Sequence, residues 1–451
     1  MAIFGETALS AWPTSDEIRA RFDAATMSSV QKTAVAITFV LSALEGYDIL
    51  SMTYTAPAIS LTWGVGKAAL GVVFSSGLVG MGLGSFLLAH FADIIGRKRM
   101  LLVCLMLMGL GALLSGFAHS LPQLATWRVL TGLGIGTCVA VINPVSAEFS
   151  NARWRPLSVA LMAIGFPAGG LLGGLLASVL LESYGWPAVF FAGFAASAVL
   201  FPIVALQLPE SLAFLVNDHR PGSLARLNAL LARCGQPLAE AMPSVPAATA
   251  RGYPAVFERG QIGTTTRMAL VNVLFAAAGY YVFSWLPQMV VDAGFSASKG
   301  SLVASLLNLV GIAGGLLCGV LARFWGLRVW TVAMLIGFGV SVGSFGSTPS
   351  SFALLLLAGG ICGFFLFGAV AGYYALLANS FRDNARGSGV GFVIGAGRVS
   401  STVAPALAGW LFASGVGRPE VSAAFGACAV VAGIILAFRT PNVLHGPELQ
   451  G

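Results

Sequence analysis

The sequence has little charge. Of its 451 residues only 9% are Asp, Glu, Lys or Arg, against about 25% in a typical soluble domain, and the mean hydropathy is +0.87. This composition excludes a soluble globular protein. The apolar runs continue over about 20 residues, which also excludes a β-barrel, whose segments alternate over about 10 residues. We therefore predict an all-α integral membrane protein whose first partner is the lipid bilayer.

Cysteine and histidine are also scarce. The six cysteines are scattered, with no CxxC spacing and no neighbouring histidine, which favours apolar packing over a metal site or disulfides. We find no haem, flavin or nucleotide motif, so we expect no cofactor and no enzyme activity. The net charge of +7 does not indicate a nucleic-acid partner, because most of the basic residues lie between the apolar runs.

The apolar runs predict twelve membrane-spanning helices in two halves of six. The predicted spans are 31–61, 68–93, 99–118, 121–149, 156–182, 187–207, 265–292, 297–323, 327–347, 350–380, 386–414 and 420–439. The predicted units are a tail at 1–30, a first half at 31–207, a linker at 208–263 with short amphipathic helices, a second half at 264–440 and a tail at 441–451.

The basic residues predict the orientation. The odd-numbered connections hold only Lys67, Lys299 and Arg418, whereas the even-numbered ones hold most of the other basic residues. By the positive-inside rule both termini lie in the cytoplasm, and we expect a multi-pass protein of the bacterial inner membrane. Acidic residues precede the first run, so it is not a cleavable signal peptide.

Two stretches indicate an internal repeat. The segment "AHFADIIGRK" (89–98) follows the second predicted span, and "GVLARFWGLR" (319–328) follows the eighth. Both have Ala, then Gly four residues later, then a basic residue. The repeat supports two related halves.

The chain resembles the major facilitator superfamily. "ADIIGRKR" is similar to its hallmark loop, and "RVLTGLGIG" (128–136) to its fourth-helix motif. Within the superfamily, "EGYDILSMTYTAPAI", "LPES", "SWLPQMVVDAGFS" and "RGSGVGFVIGAGRVSSTVAPALAGWL" resemble the aromatic acid/proton symporters. The resemblance implies proton-coupled import of benzoate-, hydroxybenzoate- or phenylpropanoid-like acids. Two residues depart from the family pattern. Glu45 stands where many members have Asp, and Arg323 stands at the acidic position of the second repeat segment (319–328). These departures leave the particular aromatic acid open.

Two acids within the first span are the main candidates for a proton site. Glu45 and Asp48 are three residues apart and share one helix face, and we expect both to look into a central cavity. Ionisation of both carboxylates at this distance, with little water around them, has a high free-energy cost, so we expect at least one to bind a proton. The pair therefore predicts proton coupling. The alternative is a pair satisfied by neighbouring donors, with a purely structural role.

Two arginines lie inside predicted spans. Arg398 is near the middle of the eleventh span, and its fork of donors suits a substrate carboxylate; the alternative is a permanent partner for Glu45 or Asp48. Arg128 resembles the superfamily's fourth-helix arginine linked to proton coupling, and its alternative is a structural or snorkelling arginine.

Charged residues at the cytoplasmic ends predict a conformational gate. They would form contacts when the cytoplasmic side is shut and release them when it opens, although the basic loop alternatively serves only to fix topology. The predicted gate comprises Asp93, Arg97, Lys98, Glu148, Arg153 and Arg386.

Aromatic and amide side chains in the inner spans are candidates for holding a flat apolar ring, although core packing is equally expected for each. The aromatic residues considered are Tyr47, Tyr54, Phe166, Tyr280, Tyr281, Trp285, Tyr373 and Tyr374. The predicted substrate contacts, beside Arg398, are Tyr47, Tyr54, Trp285, Tyr373, Asn272 and Asn308.

The sequence as a whole predicts a monomeric secondary transporter that imports an aromatic carboxylate with protons by alternating access. Proton-driven export of a drug-like or metabolic compound on the same fold is the main alternative. A membrane sensor is a third, and it would require a larger signalling domain than the tails and linker provide.

Overall fold

The structure is a computed structural model of the chain. It describes residues 15–218, 220–243, 256–258, 261–381 and 386–438, without the side chains of Asp16 and Arg386. The predicted tail at 441–451, the first 14 residues of the other tail and most of the linker from 244 onward lie outside these residues.

The described residues are helical throughout the predicted spans. In chain order the helices are α1 Ser15–Ala24, α2 Ser29–Trp63, α3 Lys67–Leu83, α4 Ala92–Ile95, α5 Arg97–Gly116, α6 Leu121–Glu148, α7 Arg155–Ser183, α8 Trp186–Gln207, α9 Leu212–Asn217, α10 Ser223–Arg233, α11 Ile262–Asp292, α12 Ala297–Trp325, α13 Leu327–Gly346, α14 Phe352–Ala378, α15 Arg386–Ala413 and α16 Arg418–Ala437. A π-helical segment, Gly84–Leu88, and a 3-10 turn, Ala89–Phe91, join α3 to α4.

The prediction of twelve spans is confirmed. Twelve helices are long and apolar enough to cross a membrane when α3 to α4 is counted as one, and their ends differ from the predicted ones by about three residues or fewer. Local signals explain several ends: at the start of α2 the side chains of Ser28 and Gln31 each accept a hydrogen bond from the other's backbone N–H, which is a capping box.

The internal repeat is visible in the backbone. Gly96, in the turn before α5, has φ of +105°, and Gly326, in the corresponding turn before α13, has φ of +82°. Both values are in the region that favours glycine. A side chain at Gly96 would also collide with the Glu210 carboxylate. The two repeat segments, 89–98 and 319–328, therefore form the same kind of turn in the two halves.

The described contacts join the halves toward one end of the bundle. We call the end that carries α9, α10 and the start of α5 the basic face, and the other end the opposite face. At the opposite face, Gly71 of α3 packs on the backbone at Pro405 of α15, and Phe74 meets the Trp285 ring at 5.4 Å between centroids. One hydrophobic core includes buried residues of both halves here.

A second buried core, toward the basic face, belongs to the first half. It includes residues from α2, α5 and α6 together with the linker helices and α1. The halves are thus closed on each other at the opposite face and have separate cores toward the basic face.

Helix α1 was not predicted, since its residues were assigned to a tail. Ile18 and Phe22 are buried against the first half, and Arg19 donates to the Glu148 carbonyl oxygen at 2.7 Å. Asp23 forms an ion pair with Arg155. This short helix therefore caps the basic face of the first half.

Candidate functional site

Arg398 is a cation at the middle of the bundle, on α15 of the second half. Its side chain is half-buried, and its Nη1 lies 3.3 Å from the Tyr280 hydroxyl and 3.1 Å from the Met81 sulfur, a weak acceptor. Met81 belongs to the first half, so Arg398 lies at the junction of the halves. Within the described residues Arg398 has no ion pair with a carboxylate.

Glu45 is the acid within electrostatic reach of this cation. It is 6% exposed on α2, and Arg398 is the charged group that acts on it electrostatically. The two side chains form no ion pair within 4.0 Å. The alternative of a closed Glu45–Arg398 bridge is therefore absent from the described structure.

Asp48 points elsewhere. It is 1% exposed, and its Oδ1 lies against Gly193 of α8, an outer helix of the first half. Its Oδ2 has no hydrogen-bond partner among the described residues. Neither Glu45 nor Asp48 is among the residues that line the central cavity of the described conformation, so the expected orientation of both acids toward that cavity is not seen here, and Asp48 packs within the first half.

Arg128 lies beside Asp48, but its donors bind other groups. Nη2 donates to the Asp48 carbonyl oxygen at 2.7 Å and Nη1 lies 3.4 Å from the Ser51 hydroxyl. The guanidinium also lies over the Phe190 ring at 5.8 Å. Arg128 thus holds the α2 backbone at the acid while it acts on the carboxylate only through space.

Glycines in α6 make this approach possible. A side chain at Gly132 would meet the Gly77 carbonyl oxygen, and one at Gly136 would meet that of Met81. The absence of these side chains lets α6 lie directly on α3. The motif that begins at Arg128 therefore places its arginine near α2 by close helix packing.

Most of the other predicted substrate contacts are bound to backbone carbonyl oxygens. These bonds are Tyr47 to Val189 at 2.5 Å, Tyr54 to Gly170 at 2.7 Å, Trp285 to Pro405 at 3.1 Å, Tyr373 to Met268 at 2.7 Å and Asn272 to Val393 at 2.8 Å. Each bond joins two helices. The geometry gives these side chains a structural role and does not support substrate contact by their polar atoms.

Asn308 differs from this group. Its Nδ2 donates to the Ala304 carbonyl oxygen at 2.8 Å within α12, and its Oδ1, packed against Gly170 of α7, has no partner in the described residues. Asn308 therefore retains an unused acceptor where the halves meet.

The space at the centre is small in this conformation. A cavity of about 30 Å³ lies between α2, α3, α6 and α11, and its lining includes Arg128, Met81, Tyr280 and Phe283. It is large enough for water but not for an aromatic ring. Tyr280 lines this cavity and contacts Arg398, and sequence reasoning did not separate it from the other aromatic residues.

The gate residues at the basic face form a cluster within the first half. Arg97 forms an ion pair with Glu148, and the Ser211 hydroxyl donates to Glu148 Oε2 at 2.6 Å. Glu210 Oε1 accepts from the backbone N–H of Lys98 at 3.0 Å. The partners supplied by "LPES" were not predicted as gate residues.

The other predicted gate residues are less connected. Asp93 has a 74% exposed side chain and lies 3.9 Å from Arg97. Arg153 lies over the Trp154 ring at 5.6 Å, and the side chain of Arg386 lies outside the described part of the structure.

An ion pair at the opposite face was also not predicted. Lys67 Nζ, at the start of α3, lies 2.7 Å from Asp292 Oδ2 at the end of α11. Gln288 donates to Asp292 Oδ1 at 2.9 Å, and Lys67 lies over the Phe412 ring at 5.3 Å. These contacts fasten the two halves together.

Solved structures and known proteins resemble the chain over most of its length. The D-xylose-proton symporter covers 91% of this chain and 98% of its own, with a TM-score of 0.71 and 16% identity. Among sequences, a gallate transporter from Pseudomonas putida is 28% identical over 417 residues, 91% of this chain and 92% of its own. The 3-(3-hydroxy-phenyl)propionate transporter from Escherichia coli (strain K12) is 29% identical over 401 residues, 89% of this chain and 92% of its own.

The sequence profile of the Major Facilitator Superfamily matches residues 36–345 and 268–449. The twelve spans and the two-half arrangement agree with this match. The chain belongs to the Major Facilitator Superfamily of transporters.

Proposed function

We propose that this protein is a proton-coupled secondary transporter that imports a small aromatic carboxylate across the bacterial cytoplasmic membrane. The observation that carries the proposal is Arg398, a central cation at the junction of the halves without an ion pair to any described carboxylate. Such a group suits an anionic substrate, because a guanidinium binds a carboxylate in bidentate geometry. The aromatic acids in the names of the relatives support the substrate class.

The ring of the substrate requires space that this conformation does not have. Tyr280, Phe283 and Met81 surround the small cavity next to Arg398, and aromatic side chains stack on a flat ring. We propose that the halves separate at this point to admit the acid. Its carboxylate then takes the place beside Arg398 and opposite Glu45.

The protons are carried by the α2 acids. Asp48 is buried with an unpartnered oxygen, and an ionised carboxylate in such a place is costly. Glu45 lies within electrostatic reach of Arg398, so the entering anion and the Glu45 carboxylate compete for one cation. Protonation of Glu45 removes this competition, and we propose that this links proton uptake to substrate binding. Arg128 adjusts the proton affinity of Asp48.

The two sets of end contacts support alternating access. We propose that the basic face is cytoplasmic, in agreement with the positive-inside rule, and that the described conformation is closed to the outside. The first-half cluster of Asp93, Arg97, Lys98, Glu148 and Arg153 would then meet the end of α15 at Arg386, as a gate that closes when the Lys67–Asp292 pair opens.

Transport into proteoliposomes with an imposed pH gradient tests the proposal. The internal pH is set above the external pH, and labelled benzoate, 4-hydroxybenzoate and 3-(3-hydroxyphenyl)propionate are compared with labelled xylose. We expect accumulation of at least one acid, its loss when a protonophore collapses the gradient, and no xylose uptake.

The Arg398→Ala variant, reconstituted in equal amount, is expected to abolish the accumulation. Unchanged uptake by this variant would refute the proposed anchor. Net movement of acid against the proton flow would instead identify an exporter, which is the alternative function on the same fold.

A further inference from the structure

A second charged cavity lies at the basic face, away from the central site. It has a volume of about 450 Å³ and lies between the start of α5, the segment after α8 and the helix α10. Four basic side chains and one acid line it together with apolar residues. The basic ones are Lys98, Arg99, Arg226 and Arg233, and the acid is Glu210.

The charges in this cavity are not balanced. Arg226 pairs with Asp218 at 2.8 Å, and Glu210 accepts from the backbone N–H groups of Lys98 and Ser211. Arg99 and Arg233 form no ion pair with a described residue, and Lys98 is attracted by Glu210 and repelled by Arg233. An anion placed here would relieve this repulsion.

The cavity continues into the surface that faces lipid. Leu102 lines it, and Met106 and Leu110 follow Leu102 at four-residue spacing on the same face of α5. Met106 is 50% exposed and Leu110 is 44% exposed, and α5 is a membrane span. Arg99 lies one turn before Leu102, so the basic cavity lies at the end of an apolar stripe.

We propose that this cavity binds the headgroup of an anionic phospholipid from the leaflet at the basic face. The phosphate lies between Arg99 and Arg233, and the acyl chains follow the stripe of Leu102, Met106 and Leu110. Basic cavities of this kind at helix ends recognise anionic headgroups. The lipid connects the linker helix α10 to α5, so it fastens the linker to the first half.

Native mass spectrometry of the full chain in detergent measures this binding. Phosphatidylglycerol and phosphatidylcholine with the same acyl chains are titrated separately. We expect preferential binding of phosphatidylglycerol to the wild type. The double variant Arg99→Gln/Arg233→Gln is expected to lose about 30-fold in affinity, since each basic residue near an anionic headgroup contributes a factor of about five.

Two matched variants control for charge and fold. Arg323→Gln removes one exposed basic residue from the end of α12 and is expected to bind phosphatidylglycerol as the wild type does. The double variant Arg99→Lys/Arg233→Lys keeps both charges and is expected to retain most of the affinity. If the glutamine pair elutes as an aggregate, the single variants Arg99→Gln and Arg233→Gln are titrated, each with an expected loss of about five-fold.

The source of the anion is tested separately. Glycerol 3-phosphate and inorganic phosphate at millimolar concentration are added to the wild type before phosphatidylglycerol. We expect no displacement of the lipid, because neither contacts the apolar stripe. Displacement by either anion, or equal lipid binding by the wild type and the glutamine pair, would overturn the proposal.

Discussion

The Lys67–Asp292 pair at the opposite face gives a quantitative prediction about conformation. The ion pair is 2.7 Å long, and its side chains are 37% and 31% exposed. A partly exposed pair of this kind contributes about 0.5–1 kcal/mol. Asp292→Asn removes the charge but keeps a hydrogen-bonding partner for Gln288. The ratio of closed to open opposite faces should therefore fall about two- to five-fold.

Lys67→Gln should have the larger effect. Lys67 also lies 5.3 Å from the centre of the Phe412 ring, and a cation–π contact at a partly exposed site adds about 0.5–1 kcal/mol. The loss of both contacts amounts to about 1–2 kcal/mol, which lowers the same ratio about five- to thirty-fold. The double swap Lys67→Asp/Asp292→Lys should restore the pair but not the ring contact.

Electron spin resonance between labels at the opposite face measures this ratio. Leu61, at the end of α2, and Ser414, after α15, are both exposed and belong to different halves. Cys428 is replaced first, since the other five cysteines are buried. We expect a longer-distance population that increases in the order wild type, Asp292→Asn, Lys67→Gln. An equal distance distribution in all three proteins would refute the argument.

Three further predictions concern the site and its support. Arg398→Gln should bind an aromatic acid about 10- to 150-fold more weakly in calorimetry, whereas binding of the neutral amide of that acid should change little; an equal loss for both would contradict an anionic anchor. Asp48→Asn should still exchange labelled for unlabelled acid, but should no longer accumulate it under a pH gradient; accumulation at the wild-type level would exclude Asp48 as the proton carrier. Gly136→Val should lower the thermal stability measured by size-exclusion chromatography, because the new side chain would collide with the Met81 carbonyl oxygen. The control Gly82→Val on α3 should leave the stability unchanged, because no atom lies within 4 Å of a β-carbon added at that position.

The spans could be predicted because each is encoded locally. A run of about 20 apolar residues crosses a bilayer whatever its neighbours are, so every predicted span agrees with a helix in the structure. The positions of turns were also local, as at Gly96 and Gly326. Helix α1 was missed because its mixed composition gives no such signal, and its burial depends on the surface of the first half.

The hydrogen-bonding partners could not be predicted in the same way. Tyr280 and Tyr281 are neighbours with the same side chain, yet Tyr280 contacts Arg398 whereas Tyr281 bonds to the Ser422 hydroxyl at 2.7 Å and stacks on Phe425. These partners lie on other helices, and only the packing of α11 against α15 and α16 decides which tyrosine meets which helix. Sequence reasoning therefore identified the group of aromatic residues but not the member that contacts Arg398.

The two acids of α2 show the same limit and have the clearest functional consequence. Their spacing of three residues predicts a shared face, but a shared face spans enough of the helix surface for two different neighbours. Glu45 lies within electrostatic reach of Arg398 of the second half, and Asp48 lies against Gly193 within the first half. A group at the junction of the halves changes its surroundings when they move apart, whereas a group inside one half does not. Substitution of Glu45 should therefore alter substrate affinity and the coupling to protons together, while substitution of Asp48 should alter the coupling to protons alone.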